Sequence, residues 1–334
     1  MSVEQSTTLV GIEAIRAAAA TLAGIATRTP LVPFGPPDDR RFLKAESLQP
    51  IGAFKIRGAY VAVASLSPEE RSRGVITYSS GNHAQGVARA ARLLGAPAVV
   101  VMPSDAPAIK RQRVAADGAE VVVVGTASHE RQAVAERLAA ERGLAIIPPY
   151  DDDRIIAGQG TVGLEIAEDL PDVAAVVVPI GGGGLASGVA AAIRALAPNA
   201  RVIGVEPELA ADARESLAAG RIISWPAEDV SRTIADGTRT QALGARTFAH
   251  LRAHLDSIVT VSEAEIAAAV RLAAERSRLV VEPSGALGIA AMAFHATELG
   301  LDRVDGSVVA VVSGGNVDPE RYRAYLEAPI PLEG

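Results

Sequence analysis

From about residue 74 the chain alternates short runs of β-branched residues with alanine-rich stretches of helical periodicity. The β-branched runs are GVITY, APAVVVMP and AEVVVVG, and a helical stretch follows each of them. This alternation is typical of strand, helix, strand units, whose strands pair in parallel beneath covering helices. The pattern therefore predicts an α/β protein with parallel sheets flanked by helices.

The alternation pauses at the segment IPPYDDDR and then resumes with AAVVVPI, RVIGVEPE and the final run SVVAVVSGG. Two α/β layers separated by a break rich in proline and aspartate predict two domains with a cleft between them. A further stretch, from about residue 207 to 245, has little periodicity and many polar residues. Such a stretch is often a functional loop.

Composition and charge exclude several classes of function. The chain has 334 residues, of which 49% are hydrophobic, and this is ample for a large buried core. Its net charge of -7, with basic residues scattered among acids, offers no basic face for nucleic acid and no polybasic membrane patch. No apolar run approaches the ~20 residues of a membrane span. We therefore expect small-molecule partners, and neither nucleic acid nor membrane.

The chain has no cysteine, which excludes disulfides and thiolate-bound zinc. The amino terminus carries Glu4 and Glu13 and lacks the basic start and apolar run of a secretory signal. We expect a cytoplasmic protein.

Four consecutive glycines, Gly181 to Gly184, stand between the run AAVVVPI and a helical stretch. Backbone N–H groups at a helix amino terminus form an anion site, which the helix dipole reinforces. No Lys-Ser/Thr pair follows the glycines, so the nucleotide P-loop pattern is absent. Two alternatives stay open: a tight turn, or a dinucleotide site in which Gly181, Gly183 and Ala186 are followed by Glu206.

A second candidate loop, TYSSGNHAQG, also joins a predicted strand to a predicted helix. It carries Ser79, Ser80, Asn82 and His83 in place of bare glycines. Hydroxyls, an amide and backbone N–H groups at a helix start suit a carboxylate ligand. Serine and asparagine are also common helix caps, and that alternative remains.

Lys55 lies between Phe54 and Ile56 in a segment of small and apolar residues. An apolar setting disfavours the charged amine, so that a lysine can bind an aldehyde as an imine. Taken alone, Lys55 also fits a solvated helix lysine. A phosphate site, a carboxylate site and such a lysine together indicate pyridoxal phosphate and an amino-acid substrate.

Six segments carry a family resemblance: IGAFKIRGAY, SSGNHAQG, IAGQGTVGLE, VVPIGGGGLASG, IADG and VVSGGNVD. In this order they resemble the fold-type II pyridoxal phosphate enzymes, specifically the threonine/serine dehydratase and serine racemase group, from about residue 12 to 320. The resemblance implies a two-domain tryptophan synthase β-like fold with the cofactor in the interdomain cleft. The large domain would comprise residues 1–70 and 152–334 and the small domain residues 71–151. A homodimer is expected from the family.

The resemblance also implies roles at matching positions. Lys55 would bind the cofactor's aldehyde and act as the base on one face, with Phe54 and Gly237 against the two sides of the ring. Ser313 would face the pyridine nitrogen, and Asn82 would hydrogen-bond the ring hydroxyl oxygen. The phosphate would be bound by the main-chain N–H groups of Gly181, Gly182, Gly183, Gly184 and Leu185. The substrate carboxylate would be held with the help of Ser79, Ser80 and His83.

The residue facing the pyridine nitrogen bears on the reaction. A serine there, unlike a carboxylate, does not enforce a protonated ring nitrogen, so the cofactor is a weaker electron sink. Elimination of a β-hydroxyl, or racemisation, is the chemistry expected of such a site. Ser80 would stand on the face opposite Lys55, where racemisation requires a second acid.

Glu206, the carbonyl of Ala210, and Asp212 match the divalent cation site of the serine racemase branch. Two carboxylates and a carbonyl, completed by waters, suit Mg²⁺ or Ca²⁺, and Mn²⁺ is a further candidate. The cation would order the loop of residues 207 to 245. The alternative is chance, because aspartate and glutamate make up 39 residues of the chain.

Two departures within the family bear on the substrate. Tyr150 stands where animal serine racemases have asparagine, as in bacterial threonine dehydratases, and this favours dehydration. Arg131 matches an arginine that the racemase branch uses near a substrate or inhibitor carboxylate, and Arg239 is another candidate. Such an arginine favours a dicarboxylate such as 3-hydroxyaspartate, although both residues could be surface ion-pair partners. Glu282 could be a helix cap or a site residue.

We therefore expect a pyridoxal phosphate-dependent dehydratase that converts L-threonine or L-serine to an α-keto acid and ammonia. Within the family, the alternatives are a serine racemase and a 3-hydroxyaspartate dehydratase. Outside it, an NAD-dependent dehydrogenase would leave Lys55 without a role. A catalytically idle amino-acid sensor is opposed by the presence of every residue the chemistry needs.

Overall fold

The computed structural model describes residues 8–79, 81–104, 108–125 and 128–331. The described residues form ten strands and fourteen α-helices. The strands are β1 Leu31–Pro33, β2 Arg41–Ala45, β3 Val75–Tyr78, β4 Ala98–Pro103, β5 Glu120–Val124, β6 Ala145–Ile146, β7 Val173–Pro179, β8 Arg201–Pro207, β9 Ser257–Val261 and β10 Ser307–Val312. The helices are α1 Ile12–Thr21, α2 Lys55–Ala64, α3 Pro68–Arg73, α4 Asn82–Leu93, α5 Ala108–Ala116, α6 Ser128–Arg142, α7 Asp153–Asp169, α8 Gly184–Leu196, α9 Asp212–Ala219, α10 Ala227–Val230, α11 Ala245–His254, α12 Glu263–Ser277, α13 Pro283–Phe294 and α14 Pro319–Leu326.

The larger sheet has six strands in the order β1-β2-β10-β7-β8-β9. All neighbouring pairs are parallel except β1 and β2, which form an antiparallel edge. Its central strand β7 is buried on both faces. Ala175 and Val177 pack into one hydrophobic cluster, whereas Val176 and Val178 pack into another on the opposite face. This period of two explains why the run AAVVVPI is apolar throughout.

The smaller sheet has four parallel strands in the order β5-β4-β3-β6. Its first three strands in the chain are the predicted runs GVITY, APAVVVMP and AEVVVVG. The predicted α/β class with parallel sheets is confirmed. The predicted domain limits remain a prediction, and α2 contacts both predicted domains. Its residues Ala59, Ala62 and Val63 pack into the core of the smaller sheet, while α2 also packs against α7.

Helices α2, α7 and α8 approach one another at glycines. A Cβ added at Gly158 of α7 would lie 2.6 Å from the Cα of Gly58 in α2. A Cβ added at Gly188 of α8 would overlap the carbonyl of Ile156 and the backbone of Gly160. Any side chain at these positions would push the helices apart. The close packing explains the glycines of the IAGQGTVGLE motif, and it brings the start of α2 toward the larger sheet.

A buried cluster of charged side chains anchors α2. The guanidinium of Arg57 contacts Glu46 at 2.8 Å and Glu165 of α7 at 2.6 Å, and Lys44 of β2 contacts Glu165 at 2.6 Å. Thr29 donates a hydrogen bond to Glu46 at 2.6 Å. Buried charges are tolerated only when paired and hydrogen-bonded, and here the cations and anions alternate. The cluster therefore fixes α2, and with it Lys55, to α7 and the larger sheet.

None of the helices within the described ranges is long and apolar enough to cross a lipid bilayer.

Candidate active site

The predicted functional residues gather at the carboxyl-terminal edges of the two sheets. The glycine loop follows β7, Glu206 lies near the end of β8, and Ser313 follows β10 of the larger sheet. Ser79 follows β3 of the smaller sheet. In parallel α/β sheets this edge is where ligands bind, because loops and helix amino termini meet there.

Lys55 is the first residue of α2. Its Nζ donates a hydrogen bond to the carbonyl of Pro149 at 2.7 Å and lies 5.1 Å from the centroid of the Phe54 ring. Burial removes the ammonium from water and lowers the pKa of Lys55 from its usual value to about 8. A substantial fraction of the amine is therefore neutral and nucleophilic near neutral pH. The apolar segment predicted this property.

The glycine loop turns directly from β7 into α8. Gly183 has φ of +89°, a left-handed conformation that glycine adopts without strain, and it precedes the first turn of α8. A Cβ added at Gly182 would overlap the ring of Tyr150, and one at Gly183 would lie 2.9 Å from the Cβ of Thr247. The side chain of Leu185 packs in the core, so only its backbone can face the loop. The first N–H groups of a helix lack intrahelical acceptors, and the loop therefore suits a phosphate.

A chain of contacts links this loop to Lys55 along the edge of the larger sheet. The N–H of Phe54 donates to the carbonyl of Ser313 at 3.1 Å, and the Oγ of Ser313 donates to the carbonyl of Ser284 at 3.3 Å. The Oγ of Ser284 accepts the N–H of Gly237 at 2.7 Å. A Cβ added at Gly181 would lie 3.3 Å from the carbonyl oxygen of Gly237. Five segments distant in sequence thus enclose one site.

Sequence reasoning missed Ser284. This buried residue near the start of α13 joins Gly237 to Ser313, and a Cβ added at Gly237 would lie 2.9 Å from its Oγ. The available signal was weak, because Pro283 at the first helical position marks only a helix start, and a serine after it is not distinctive. Its position between two predicted site residues is evident only in three dimensions.

Asn82, the first residue of α4, is held by a buried carboxyl group. Its Nδ2 donates to Oε1 of Glu282 at 2.6 Å, and its Oδ1 accepts from Nδ2 of Asn316 at 2.8 Å. Burial, and secondly the nearby charge of Asp236, raise the pKa of Glu282 to about 8. Glu282 is the N-cap residue of α13, but its side chain makes no capping hydrogen bond. Of the two interpretations left open by the sequence, the structure favours a site residue.

Ser79 and His83 flank the amino terminus of α4. The Oγ of Ser79 accepts the N–H of Gly81 at 3.3 Å. His83 is buried, with Nε2 3.1 Å from the carbonyl oxygen of Ile147, so Nε2 carries the hydrogen and Nδ1 is an acceptor. Burial, and secondly the charge of Lys55, lower the pKa of His83 to about 3. A neutral imidazole whose Nδ1 has no hydrogen-bond partner among the described residues is poorly suited to bind a carboxylate, and the predicted role of His83 stays a prediction.

Ser80, predicted as the second acid and a substrate ligand, lies outside the described residues.

The two candidate arginines lie in different surroundings. Arg131 is half-buried near the start of α6, a helix that packs on β3 and β4. Since helices of a parallel α/β unit begin at the carboxyl edge of the sheet, Arg131 lies at the same edge as Ser79. Arg239 donates through both Nε, at 2.9 Å, and a terminal nitrogen to the carbonyl of Thr233. Arg239 thus stabilises its own loop.

Glu206 and Asp212 form a buried pair of carboxyl groups. The Glu206 side chain accepts the N–H groups of Ala213 at 2.9 Å and Arg214 at 2.8 Å, at the start of α9. Burial, and secondly the charge of Asp212, raise the pKa of Glu206 well above its usual value. The Oδ2 of Asp212 is buried and has no hydrogen-bond partner among the described residues. An unpaired buried carboxylate oxygen beside a second carboxylate fits a divalent cation.

Within the described ranges, no group of three or more acidic or histidine side chains could bind a metal. The predicted cation site has only two carboxylates and one backbone carbonyl. The carbonyl is that of Ala210, a buried residue that lies between Glu206 and Asp212 in the sequence. Glu206 is fully buried and caps α9. A ribose is too large to reach this buried carboxyl group, and this argues against the dinucleotide alternative.

The site brings together a buried amine of lowered pKa, a glycine loop at a helix start and a second helix amino terminus. These features define the class: an enzyme that binds an aldehyde cofactor through its phosphate. The chain matches the model of the pyridoxal-phosphate dependent enzymes over residues 22–314, and it belongs to that family. The predicted family and the predicted class of enzyme are confirmed.

Three known proteins illustrate the similarity. An L-threo-3-hydroxyaspartate ammonia-lyase from Saccharomyces cerevisiae is 45% identical over 285 residues, which are 85% of each chain. The crystal structure of a threonine deaminase from T.th. has a TM-score of 0.84 and 45% identity, covering 92% of this chain and 99% of that one. The structure of maize serine racemase has a TM-score of 0.88 and 38% identity, covering 96% and 98%. The chain therefore belongs among pyridoxal phosphate-dependent ammonia-lyases and racemases, which differ in substrate.

Proposed function

We propose that this enzyme eliminates water from a 3-hydroxy amino acid and releases a 2-oxo acid and ammonia, with L-threo-3-hydroxyaspartate as the first candidate substrate. The observation that carries the reaction type is Lys55, a buried amine of lowered pKa whose Nζ donates a hydrogen bond to the carbonyl of Pro149. The substrate is supported by the yeast relative and by Arg131, which lies at the same edge of the smaller sheet as Ser79. This choice differs from the threonine or serine expected from the sequence.

The residues present fit the cofactor, because neither Gly182 nor Gly183 has room for a side chain beside Tyr150 and Thr247, so that the loop presents backbone N–H groups, and because the Lys55 amine is poised to react. Gly181 to Gly184 would hold the phosphate, Phe54 and Gly237 would flank the ring, and Ser313 would face the ring nitrogen. Bound pyridoxal phosphate supplies an aldehyde for amine capture and a conjugated ring that accepts electron density.

The chain's own groups divide the remaining tasks. The neutral amine of Lys55 takes the α-proton of the substrate. The backbone N–H groups at the start of α4, with Ser79, hold the α-carboxylate, which the helix dipole favours. The β-hydroxyl leaves as water and the released enamine is hydrolysed by one water. Overall, 3-hydroxyaspartate gives oxaloacetate and ammonia with no oxidant or reductant.

The experiment offers the cofactor-loaded protein L-threo-3-hydroxyaspartate, L-threonine and L-serine, and measures keto acid and ammonia. We expect equimolar products, fastest from the dicarboxylate, and none from the Lys55→Ala variant. Faster release from threonine would favour the second candidate, a threonine dehydratase, which the 45% identical deaminase and Tyr150 support. No keto acid from any substrate, with inverted serine by chiral analysis, would replace the lyase by a racemase.

We propose further that Glu206, the carbonyl of Ala210, and Asp212 hold a divalent cation, Mg²⁺, Ca²⁺ or Mn²⁺. The support is the buried Oδ2 of Asp212, which has no hydrogen-bond partner in the described part of the chain, beside Glu206, whose pKa is raised by burial and secondly by Asp212. A cation there would tie the end of β8 to the start of α9, the helix that opens the loop carrying Gly237. A homodimer is proposed on the family likeness and is tested by the mass in solution.

A further inference from the structure

Three consecutive residues between β6 and α7 connect the amine, the glycine loop and α11. These residues are Pro149, Tyr150 and Asp151, in the proline- and aspartate-rich break of the sequence. We call them the strap. The carbonyl of Pro149 accepts the hydrogen bond of Lys55 at 2.7 Å. The strap therefore begins directly at the reactive amine.

The ring of Tyr150 lies against the glycine loop. A Cβ added at Gly182 would overlap three carbons of the ring, and one at Gly184 would lie 3.1 Å from the Cα and Cβ of Tyr150. The hydroxyl donates to the carbonyl of Ala242 at 3.3 Å, and burial raises the pKa of Tyr150 to about 12. The ring thus remains a neutral phenol that covers one side of the loop.

Asp151 fixes the other end of the strap. Its carboxylate accepts the N–H groups of Ala245 at 3.2 Å, Arg246 at 2.8 Å and Thr247 at 3.2 Å, the first three residues of α11. A negative side chain at a helix start is stabilised by unpaired N–H groups and by the helix dipole. A Cβ added at Gly244 would overlap this carboxylate. The position of the Tyr150 ring is therefore set by a helix end.

We propose that Tyr150 is a positioning residue that holds the glycine loop in the shape that receives phosphate, with Asp151 anchoring it to α11. This inference rests on the proposed role of Gly181 to Gly184 as the phosphate site. Four consecutive glycines have more conformational freedom than any other tetrapeptide and lose it on ordering. A ring packed on the loop restricts that freedom before the ligand arrives, which lowers the entropic cost of binding.

The effect should depend on the phosphate group and not on the aldehyde. Pyridoxal and pyridoxal phosphate both carry the aldehyde that reacts with Lys55, but only the second carries phosphate. We expect Tyr150→Ala to raise the Kd for pyridoxal phosphate at least 10-fold and the Kd for pyridoxal less than threefold. Tyr150→Phe keeps the ring and should bind both ligands as the wild type does.

The experiment titrates each ligand into apoprotein and follows absorbance, for the wild type, Tyr150→Phe, Tyr150→Ala and the matched control Tyr322→Ala. Tyr322 is a half-buried tyrosine of α14, a helix that packs on α12, and its side chain packs against a hydrophobic cluster of the larger sheet and its helices, so its loss tests general destabilisation. Inorganic phosphate, added as a competitor, should raise the apparent Kd for pyridoxal phosphate more in the wild type than in Tyr150→Ala. If the alanine variant does not fold, Tyr150→Leu replaces it. We expect Tyr150→Leu also to lose more affinity for pyridoxal phosphate than for pyridoxal.

Two failures are distinguishable. If wild-type protein binds pyridoxal as tightly as pyridoxal phosphate, the glycine loop is not the phosphate site, and the inference falls with that assignment. If the wild type strongly prefers pyridoxal phosphate and the Tyr150→Ala or Tyr150→Leu variant keeps the full preference, the phosphate site stands and the role of Tyr150 is overturned. Equal loss of both ligands also overturns it, because the strap would then act through Lys55 alone.

Discussion

The side-chain amide of Asn82 donates a hydrogen bond to the carboxyl group of Glu282 at 2.6 Å, across 200 positions of sequence. The contact joins α4, which packs on the smaller sheet, to the start of α13, which packs on the larger one. The same Asn82 is the residue proposed to bind the cofactor's ring hydroxyl. The orientation of its amide is thus set by a buried group that titrates near physiological pH.

Glu282 should make the stability of the apoprotein fall as pH rises. Its pKa is raised from about 4.5 to about 8 by burial, then by Asp236, and the hydrogen bond from Asn82 and the charge of Lys110 oppose this shift only in part. The folded state therefore holds a proton that the unfolded state releases between these values, and stability is lost across that window. We expect Glu282→Gln to remove up to a few kcal/mol of this decline, measured by urea unfolding from pH 5 to 8.5.

Glu13→Gln is the control for that measurement, because Glu13 lies exposed on α1. Its profile should follow the wild type throughout. If Glu282→Gln also follows the wild type, Glu282 is ionised in the fold, and its contact with Asn82 is an ordinary charge-assisted hydrogen bond.

Lys55 should react as an amine of unusually low pKa. The chain has three lysines, Lys44, Lys55 and Lys110, so each can be followed separately by peptide mass analysis. With the pKa of Lys55 lowered to about 8 by burial, its rate of labelling by an amine reagent should rise up to about pH 8 and then level off. Lys110, which is paired with Asp236, is the internal reference, and its labelling profile should differ from that of Lys55. Parallel profiles for the two would show that burial does not tune Lys55.

Arg57 should contribute far more to stability than its neighbours on the surface. Truncation to methionine would leave Glu46 and Glu165 buried with reduced compensation, and losing one partner of a buried pair costs about 3–5 kcal/mol. Arg16→Met breaks an exposed pair with Glu13 and should cost under about 1 kcal/mol. Urea unfolding at pH 7 measures both. Similar small losses would mean that water reaches the Arg57 cluster.

The divalent cation site predicts a stability that depends on metal. Mg²⁺ or Ca²⁺ added to metal-free protein should raise Tm by several degrees, because a ligand that binds only the folded state stabilises it. Asp212→Asn removes one carboxylate of the site and should abolish most of this gain. The control is Glu215→Gln on the same helix, whose side chain bonds the indole of Trp225. If chelation leaves the Tm of the wild-type protein unchanged, the proposal of a cation site is wrong.

Six of the ten described strands and both loops could be predicted because their signals are local, whereas β1, β2, β6 and β9 were not predicted. Runs of β-branched residues and glycines at strand ends carry the pattern within a few positions, as for Gly183 with its left-handed backbone. Ser284 and the contact of Tyr150 with Gly182 carry no such signal. These contacts depend on how α13 and the strap pack against segments that are distant in the sequence, and a local sequence pattern does not determine this packing. The prediction that the site is built around Lys55 required several motifs taken together. The tautomer of His83 could be assigned only from the position of the Ile147 carbonyl.

Arg131 should determine whether the enzyme prefers a dicarboxylate. It lies half-buried at the start of α6, at the sheet edge that holds Ser79, where its planar guanidinium could bind a second carboxylate through two hydrogen bonds. A charge-assisted hydrogen bond contributes about 1.5–3 kcal/mol, so Arg131→Ala should lower kcat/KM for L-threo-3-hydroxyaspartate about 10- to 100-fold. Turnover of L-serine, which lacks the second carboxylate, should change less than about threefold.

Arg137→Ala is the matched control for that prediction, since Arg137 lies on the same helix in an exposed pair with Glu141 at 2.9 Å. It should leave both substrates unaffected. Arg131→Lys keeps the charge but not the planar pair of donors, and it should recover only part of the dicarboxylate activity. Equal losses of serine and hydroxyaspartate turnover in Arg131→Ala would mean that Arg131 supports the fold of α6. The substrate preference would then have to arise from other residues at the carboxyl edge of the smaller sheet.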